Sequence, residues 1–269
     1  MRIWTATLVA LAVGCGNDLS DAGTDGSDTQ DSDSWGWTTP TYPNPTGPSP
    51  DEPNGAETCA LLYGGADRIR GPDLWLPDLS EGRELQVWIR TTYPNEQVAF
   101  SYGRPSSQQG MLLGTTTGGF PMIRAGEGTD QVIGETSIND DEWHHLVATW
   151  DGAQAALVVD GEVDGYGLLE AYTLEGDAIA GNEPTPEKRY PWVGWVDDVR
   201  VFSGHRDPND IAADPEGALR PPDDLKLWWD FEFDEEEKGP GVIVPDLSGW
   251  GHDGESLGTP ETPEFPPCR

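Results

Sequence analysis

The chain has 269 residues, with 49 Asp and Glu residues against 15 Lys and Arg residues and a formal net charge of −34. A field of this sign repels the phosphates of nucleic acids and of anionic lipids, so we predict no nucleic-acid partner. It is compatible with cations, neutral glycans and basic proteins, and it favours solubility outside the cell.

The first 15 residues have the pattern of an export signal. Arg2 gives a basic start, and the apolar run at 8–13 is too short to span a bilayer. The run leads through small residues to Cys15, as in the bacterial lipobox whose Cys is acylated. We therefore predict a lipoprotein signal over 1–15, with Cys15 lipidated and the membrane contacted through the lipid anchor only. Gly16 follows instead of Asp, which favours the outer membrane. The alternative is an ordinary signal peptide with a chance Cys.

Residues 16–56 form the next segment, which has eight acidic residues and no Lys or Arg. Gly, Ser, Thr, Asp and Pro dominate it. A segment of this composition cannot bury enough apolar surface to offset chain entropy, so we predict a disordered tether. Its Pro-rich second half favours extended conformations.

Residues 57–269 are long enough for one domain with a sizeable core. This segment has 41 acidic and 14 basic residues, a net charge of −27. If Cys15 is lipidated, Cys59 and Cys268 remain at the two ends of the domain. Disulfides persist in exported proteins, so we predict that these two are bonded and join the termini. Two free thiols are the alternative.

The domain has short runs of β-branched and aromatic residues, with Gly, Pro, Asn and Asp between them. The predicted strands are 84–92, 97–103, 110–116, 121–126, 131–138, 143–150, 154–161, 192–204 and 225–233. Turn signals recur every 8 to 12 residues, which is typical of a sandwich or jelly roll. One helix is predicted at 207–214, with Asp207 as N-cap and Pro208 in the first helical position.

The predicted strand 143–150 contains two adjacent histidines. Alternation along a strand places His144 on one face and His145 on the other. Both faces also carry large apolar residues, so we expect the strand to be covered on both sides. Two neighbouring residues on a regular strand cannot bind one metal ion. We therefore expect both histidines to pack or hydrogen-bond within the sandwich, with the Asp-Gly pair at 151–152 forming a hairpin turn.

Four segments resemble the laminin G-like and pentraxin-like family of concanavalin A-type jelly rolls. They are "EWHHLVATWDGAQAALVVDGEVDG", "ELQVWIRTT", "WVGWVDDVRVFSGHRDPNDI" and "LKLWWDFEFDEEEKGPGVIVPDLSGWGHDGESLG". The resemblance covers residues 57–258 and implies an all-β, antiparallel two-sheet jelly-roll sandwich. One departure is that the last segment, which often precedes the early Trp strand in the family, lies here at the C-terminus. Adjacent termini would tolerate that rearrangement.

The resemblance also implies ligands. Some members bind calcium at one rim, with glycans or proteins nearby. Asp246 and Asp253 flank a turn, and the family pattern would bring Asp197 or Asp198 near them. Carboxylate oxygens suit calcium, so these four are the calcium candidates. Asp residues that cap backbone N–H groups in turns are the alternative.

Aromatic residues are the second kind of candidate site. A sugar-stacking platform is one interpretation of Trp192, Trp195 and Trp228. Core packing is the commoner role of Trp in alternating strands, and it is the interpretation we favour.

Catalysis would require a different pattern. Glycoside hydrolases of concanavalin A-like fold place Glu-x-Asp-x-Glu on one strand, and Glu232, Asp234 and Glu236 have that spacing. A charged strand end that becomes a loop explains this stretch better. We therefore expect a non-catalytic, exported lipoprotein that binds a glycan or an extracellular protein. The alternatives are a structural envelope protein without a discrete ligand and a glycoside hydrolase.

Overall fold

The computed structural model describes residues 58–78, 81–184, 189–215, 217–233 and 237–268. The predicted signal, the predicted tether and Cys15 lie outside these residues. In the described part of the chain, no helix has the length and apolar character needed to cross a membrane.

The described residues form strands almost throughout. In chain order the strands are β1 (Ala60–Tyr63), β2 (Arg68–Leu74), β3 (Arg83–Arg90), β4 (Gln97–Gly103), β5 (Gly110–Thr115), β6 (Pro121–Ala125), β7 (Gln131–Ile133), β8 (His144–Trp150), β9 (Gln154–Val159), β10 (Glu162–Leu168), β11 (Gly176–Ala180), β12 (Val193–Ser203), β13 (Leu225–Trp229), β14 (Glu237–Lys238), β15 (Ile243–Val244), β16 (Gly254–Leu257) and β17 (Glu264–Phe265). Helix α1 (Pro208–Ala213) follows β12, and a 3-10 turn spans Pro222–Asp224.

The strands form two antiparallel sheets that pack face to face. Sheet A has the order β10-β9-β8-β3-β12-β1-β17-β14, with β13 paired to β12 as well. Sheet B has the order β15-β16-β2-β11-β4-β5-β6-β7. The predicted all-β, antiparallel two-sheet sandwich is confirmed.

Most of the predicted strands are present, and two of them end early. The prediction at 131–138 is wrong after Ile133, where β7 ends. The prediction at 225–233 is wrong after Trp229, because Phe231 adopts a positive φ of 54° that no regular strand allows. Helix α1 begins as predicted, since the Asp207 side chain accepts a hydrogen bond from Asn209 N and Pro208 occupies the first turn.

The main core lies between the two sheets. Trp150, Trp192 and Trp229 are its largest members, and all three are almost fully buried. Their indole N–H groups reach backbone carbonyls, as Trp150 Nε1 does to Leu169 O at 3.0 Å and Trp229 Nε1 does to His252 O at 2.9 Å. Buried indoles are tolerated because these hydrogen bonds are made.

The outer face of sheet A is partly covered by the segment after β12. Ile211 of α1 packs on Val147 and Val158, which point away from the main core. The buried carboxylate of Glu84 fixes this segment, since it accepts from Arg206 Nη2 at 2.6 Å and from Arg220 Nη1 at 3.2 Å. Strand β8 is therefore apolar on both faces for the predicted reason, which is that both faces are covered.

The two ends of the domain lie side by side. Leu61 of β1 pairs with Glu264 of β17, and Cys59 N donates to Pro266 O at 3.1 Å. Cys59 and Cys268 form a disulfide with a Cα–Cα distance of 5.4 Å. The structure thus supports the predicted bond, and the adjacent termini explain why the C-terminal segment fits a fold in which it usually comes earlier.

The disulfide closes a loop of 209 residues, so its loss should destabilise the domain strongly. For the double variant Cys59→Ser/Cys268→Ser, the chain-entropy relation gives about 5 kcal/mol, an upper figure for the expected loss. Thermal unfolding followed by circular dichroism would measure it. Cys15→Ser is the control and should leave the transition unchanged. An unchanged transition in the double variant would contradict the expectation.

Candidate functional site

The open part of the outer face of sheet A carries a row of partly exposed side chains. Trp195 of β12 lies opposite Leu61 of β1 on one side and opposite Arg90 of β3 on the other. Trp143 precedes β8, and its ring centroid lies 6.5 Å from that of Trp195, with the planes at 57°. Because Val196 belongs to the main core, alternation directs Trp195 away from it. We call Leu61, Trp195, Arg90 and Trp143 the tryptophan row.

Hydrogen-bonding groups lie beside the tryptophan row. Arg90 Nε donates to Asp141 Oδ1 at 3.0 Å. Tyr63, two residues from Leu61 and 51% exposed, donates its hydroxyl hydrogen to Glu264 Oε1 at 2.8 Å. Burial, helped by this hydrogen bond and by the charge of Glu264, raises the pKa of Tyr63 to about 12. The surface thus combines aromatic faces with carboxylate oxygens, as sites for small polar ligands do.

The three predicted stacking tryptophans have different surroundings. Trp192 is fully buried and donates to Trp195 O at 3.2 Å, so the prediction that it stacks on a ligand is wrong. It precedes β12 and packs into the end of the core. Trp228 is half-buried, with the Arg200 guanidinium 4.8 Å from its ring centroid. Trp195 is the one that lies in the tryptophan row.

The predicted calcium residues are held by hydrogen bonds within the protein. Asp246 Oδ1 accepts from Trp228 N and Ser248 N, both at 3.0 Å. Its Oδ2 accepts from Ser248 Oγ at 2.7 Å and from His252 N at 2.9 Å. Asp253 Oδ1 accepts from Asp246 N at 2.9 Å. Burial alone would raise the pKa of Asp246, but these hydrogen bonds outweigh it and lower the pKa.

The other two calcium candidates lie on β12. The two oxygens of Asp198 accept from Arg200, and Oδ1 also accepts from Trp228 Nε1 at 2.6 Å. Asp197 is buried beside the disulfide. Among the described residues, the one group of three that brings ligand atoms within 4.8 Å of each other is Asp197 with the bonded Cys59 and Cys268. The structure does not join the four carboxylates as one set, and calcium binding at Asp246 and Asp253 stays a prediction.

The acidic stretch of the enzyme alternative begins beyond the end of β13. Glu232 Oε2 accepts from Thr58 N at 3.3 Å, and Thr58 Oγ1 donates to Phe231 O at 2.7 Å. Asp234 and Glu236 lie outside the described residues. Since β13 ends at Trp229, Glu232 does not share a strand face with the residues before it.

The adjacent histidines point in opposite directions, as predicted. Nδ1 of His144 lies 2.7 Å from Asp160 Oδ2, and Nε2 lies 3.1 Å from Asp140 Oδ1. His145 is buried and stacks on Trp88, with ring centroids 4.9 Å apart. Both histidines serve the packing of the sandwich and share no metal site.

The two histidines have opposite electrostatic surroundings. Burial would lower the pKa of His144, but the hydrogen bonds and charges of Asp160 and Asp140 outweigh it and raise the pKa. Burial, together with the positive charges of Arg200 and Arg206, lowers the pKa of His145 to about 3.

Sequence reasoning missed Trp143, Arg90 and Leu61 as neighbours of Trp195. The alternation in 143–150 had placed Trp143 on the face of His145, which is a partial signal. The pairing of β1, β12, β3 and β8 was needed to bring the four side chains together. That pairing is long-range and leaves little trace in local sequence.

Comparison with known proteins agrees with the geometry. Residues 84–212 match the sequence profile of the concanavalin A-like lectin/glucanases superfamily. A Bacteroides ovatus structure, provisionally described as a carbohydrate-binding protein, superposes with a TM-score of 0.58 at 16% identity, covering 79% of this chain and 62% of that one. The present chain therefore spans less than two thirds of that protein. No curated protein sequence matches the chain.

Two further structures are similar over shorter stretches. The SAP-like pentraxin of Limulus polyphemus has a TM-score of 0.48 at 14% identity, covering 60% of this chain and 82% of that one. A carbohydrate-binding module of the Ruminococcus gnavus IT-sialidase has a TM-score of 0.46 at 15% identity, covering 58% and 95%. From the sequence profile and the two-sheet fold together, the domain is a laminin G-like member of the concanavalin A-like superfamily.

Substituting each histidine should change stability with opposite pH dependence. The contribution of His144, whose folded pKa is raised, is complete below the unfolded value of about 6.5 and is lost as the pH rises through the folded pKa. The contribution of His145, whose folded pKa is lowered, is present above about 6.5 and is lost as the pH falls towards 3.

His144→Gln should therefore lower Tm more at about pH 5 than at about pH 8, and His145→Gln should lower it more at about pH 8. Calorimetry on both variants and wild type checks this, and each variant is the matched control of the other. Equal shifts at both pH values would contradict the assignment.

Proposed function

We propose that this protein is a non-catalytic cell-surface lipoprotein whose sandwich domain binds a glycan on the tryptophan row. The observation that carries the proposal is the pair of partly exposed indoles, Trp143 and Trp195, on an otherwise polar sheet face. An indole face offers apolar area at a small cost in side-chain entropy, so it suits the C–H faces of a sugar ring.

The polar groups beside the indoles support a sugar ligand over an apolar one. Asp141 and Glu264 present carboxylate oxygens that accept hydrogen bonds from hydroxyl groups, and each is already oriented by a partner in the protein. Arg90 supplies N–H donors between the two indoles. Preorganised donors and acceptors around an apolar platform favour a ligand that has both kinds of surface.

The enzyme alternative has weaker support. A retaining or inverting hydrolase needs two carboxylates placed on either side of a glycosidic bond. Asp141 and Glu264, the carboxylates beside the tryptophan row, are each engaged with Arg90 or Tyr63. A protein ligand or a purely structural role in the envelope remains the alternative that binding measurements would distinguish.

A glycan array would test the binding proposal. Wild type should bind a defined set of glycans, and Trp195→Ala should bind them about tenfold more weakly, which corresponds to losing about 1.4 kcal/mol of aromatic contact. Trp75→Ala is the matched control, because Trp75 is 72% exposed and follows β2 of the other sheet.

Three outcomes would contradict the binding proposal. Absence of selective binding by wild type would favour the structural role. Equal binding by Trp195→Ala would place any glycan site elsewhere. Turnover of bound glycans would make the protein an enzyme.

Lipid attachment is a separate prediction. Cells fed a labelled fatty acid should incorporate the label into wild type, and Cys15→Ser should abolish it because that thiol is the predicted acylation site. Cys59→Ser/Cys268→Ser is the control and should stay labelled. Label in Cys15→Ser would contradict the lipobox assignment.

A further inference from the structure

The two sulfurs of the Cys59–Cys268 disulfide differ in accessibility. Cys59 is fully buried at the start of β1, and Cys268 is partly exposed at the C-terminal end of the described chain. Thiol–disulfide exchange requires a thiolate to approach one sulfur along the S–S axis and to expel the other. An external thiolate would therefore attack Cys268, and Cys59 would be the leaving group.

A carboxyl group lies beside that leaving group. Asp197 Oδ2 is 3.4 Å from Cys59 Sγ, and the Asp197 side chain is 1% exposed. A disulfide sulfur carries no hydrogen, so any hydrogen bond in this contact must be donated by the carboxyl group. Within the described residues, Asp197 Oδ1 accepts no hydrogen bond. An ionised carboxylate in such a place would be poorly solvated, and a neutral one is tolerated.

The charges around Asp197 act in the same direction. Burial, followed by the negative charges of Asp198, Glu232 and Asp230, raises the pKa of Asp197 well above its usual range. Asp198 belongs to the same strand, and the other two follow β13. The charge of Asp198 is itself compensated by Arg200 at 2.6 Å, which leaves the guanidinium little capacity to stabilise a second carboxylate.

We propose that the Cys59–Cys268 disulfide is competent for exchange with external thiols, and that Asp197 is its general acid. An external thiolate forms a bond to Cys268 Sγ as the S–S bond breaks, and the electron pair leaves on Cys59 Sγ. The Asp197 carboxyl proton passes to that sulfur, which becomes a thiol. With a dithiol reductant, the second thiolate then displaces Cys268, so the reductant is oxidised by two electrons and the protein gains two thiols.

Native-state reduction tests this proposal. The folded protein is treated with dithiothreitol, and the rate of thiol appearance is followed. The rate should be proportional to dithiothreitol concentration, since attack occurs on the folded protein. Asp197→Asn keeps the shape and neutrality of the side chain but has no acidic proton, so the rate should fall about tenfold or more.

Glu232→Gln is the matched control for charge. It removes a negative charge near the disulfide without touching the sulfur, so approach of an anionic thiolate should be as fast as in wild type or faster. A merely electrostatic or destabilising effect would accelerate reduction in both variants. Slowing in Asp197→Asn alone therefore identifies the proton donor. Equal or faster reduction of Asp197→Asn, or a wild-type rate independent of dithiothreitol concentration, would overturn the proposal.

A second measurement needs no variant. Wild type is incubated with glutathione, free thiols are blocked, and peptides are mapped by mass spectrometry. Glutathione should be found on Cys268, the accessible sulfur, with Cys59 blocked as a free thiol. Glutathione on Cys59, or no adduct on the folded protein, would overturn the proposal even if Asp197→Asn did not fold.

Discussion

Strand β12 organises the outer face of sheet A. It pairs with β3 along most of its length, while its first half pairs with β1 and its second half with β13. A register shift between Asp197 and Arg200, with Asp198 at a φ of 48°, separates the two halves. Bulges of this kind redirect side chains and increase the local twist of a strand. Here Trp195 points to solvent before the irregularity, and Arg200 turns back to Asp198 after it.

The outer face of sheet A is covered along part of its area and open along the rest. Where α1 and the segment after it cover the face, Glu84 pairs with Arg206 and Arg220 in a buried site. A buried carboxylate is stable only when such partners are in place, so the cover and the charge depend on each other. Where the cover ends, the same face exposes Trp143 and Trp195. The fold thus leaves aromatic surface available for a ligand without opening the main core.

Local patterns in the sequence were sufficient for the fold class and for several strands. Residues 97–103 are strand β4 from end to end, and the Asp-Gly pair at 151–152 does join β8 to β9. The short strand β1 was missed because four residues give too little alternation. The contact between Cys59 and Asp197 spans 138 residues, and it depends on the register of β1 against β12. Hydrophobic patterns constrain which face a residue occupies, but they do not specify which strand becomes its neighbour.

The distribution of arginine gives the exposed surface its electrostatic character. Arg200 and Arg206 are spent on carboxylates within or beneath the surface, so they do not offset the negative field outside. In the tryptophan row, Arg90 and Asp141 form a pair without net charge. A neutral glycan would meet no local repulsion there, whereas an acidic glycan would approach a domain of net charge −27. The fold and the composition together therefore favour an uncharged sugar as the ligand of this surface.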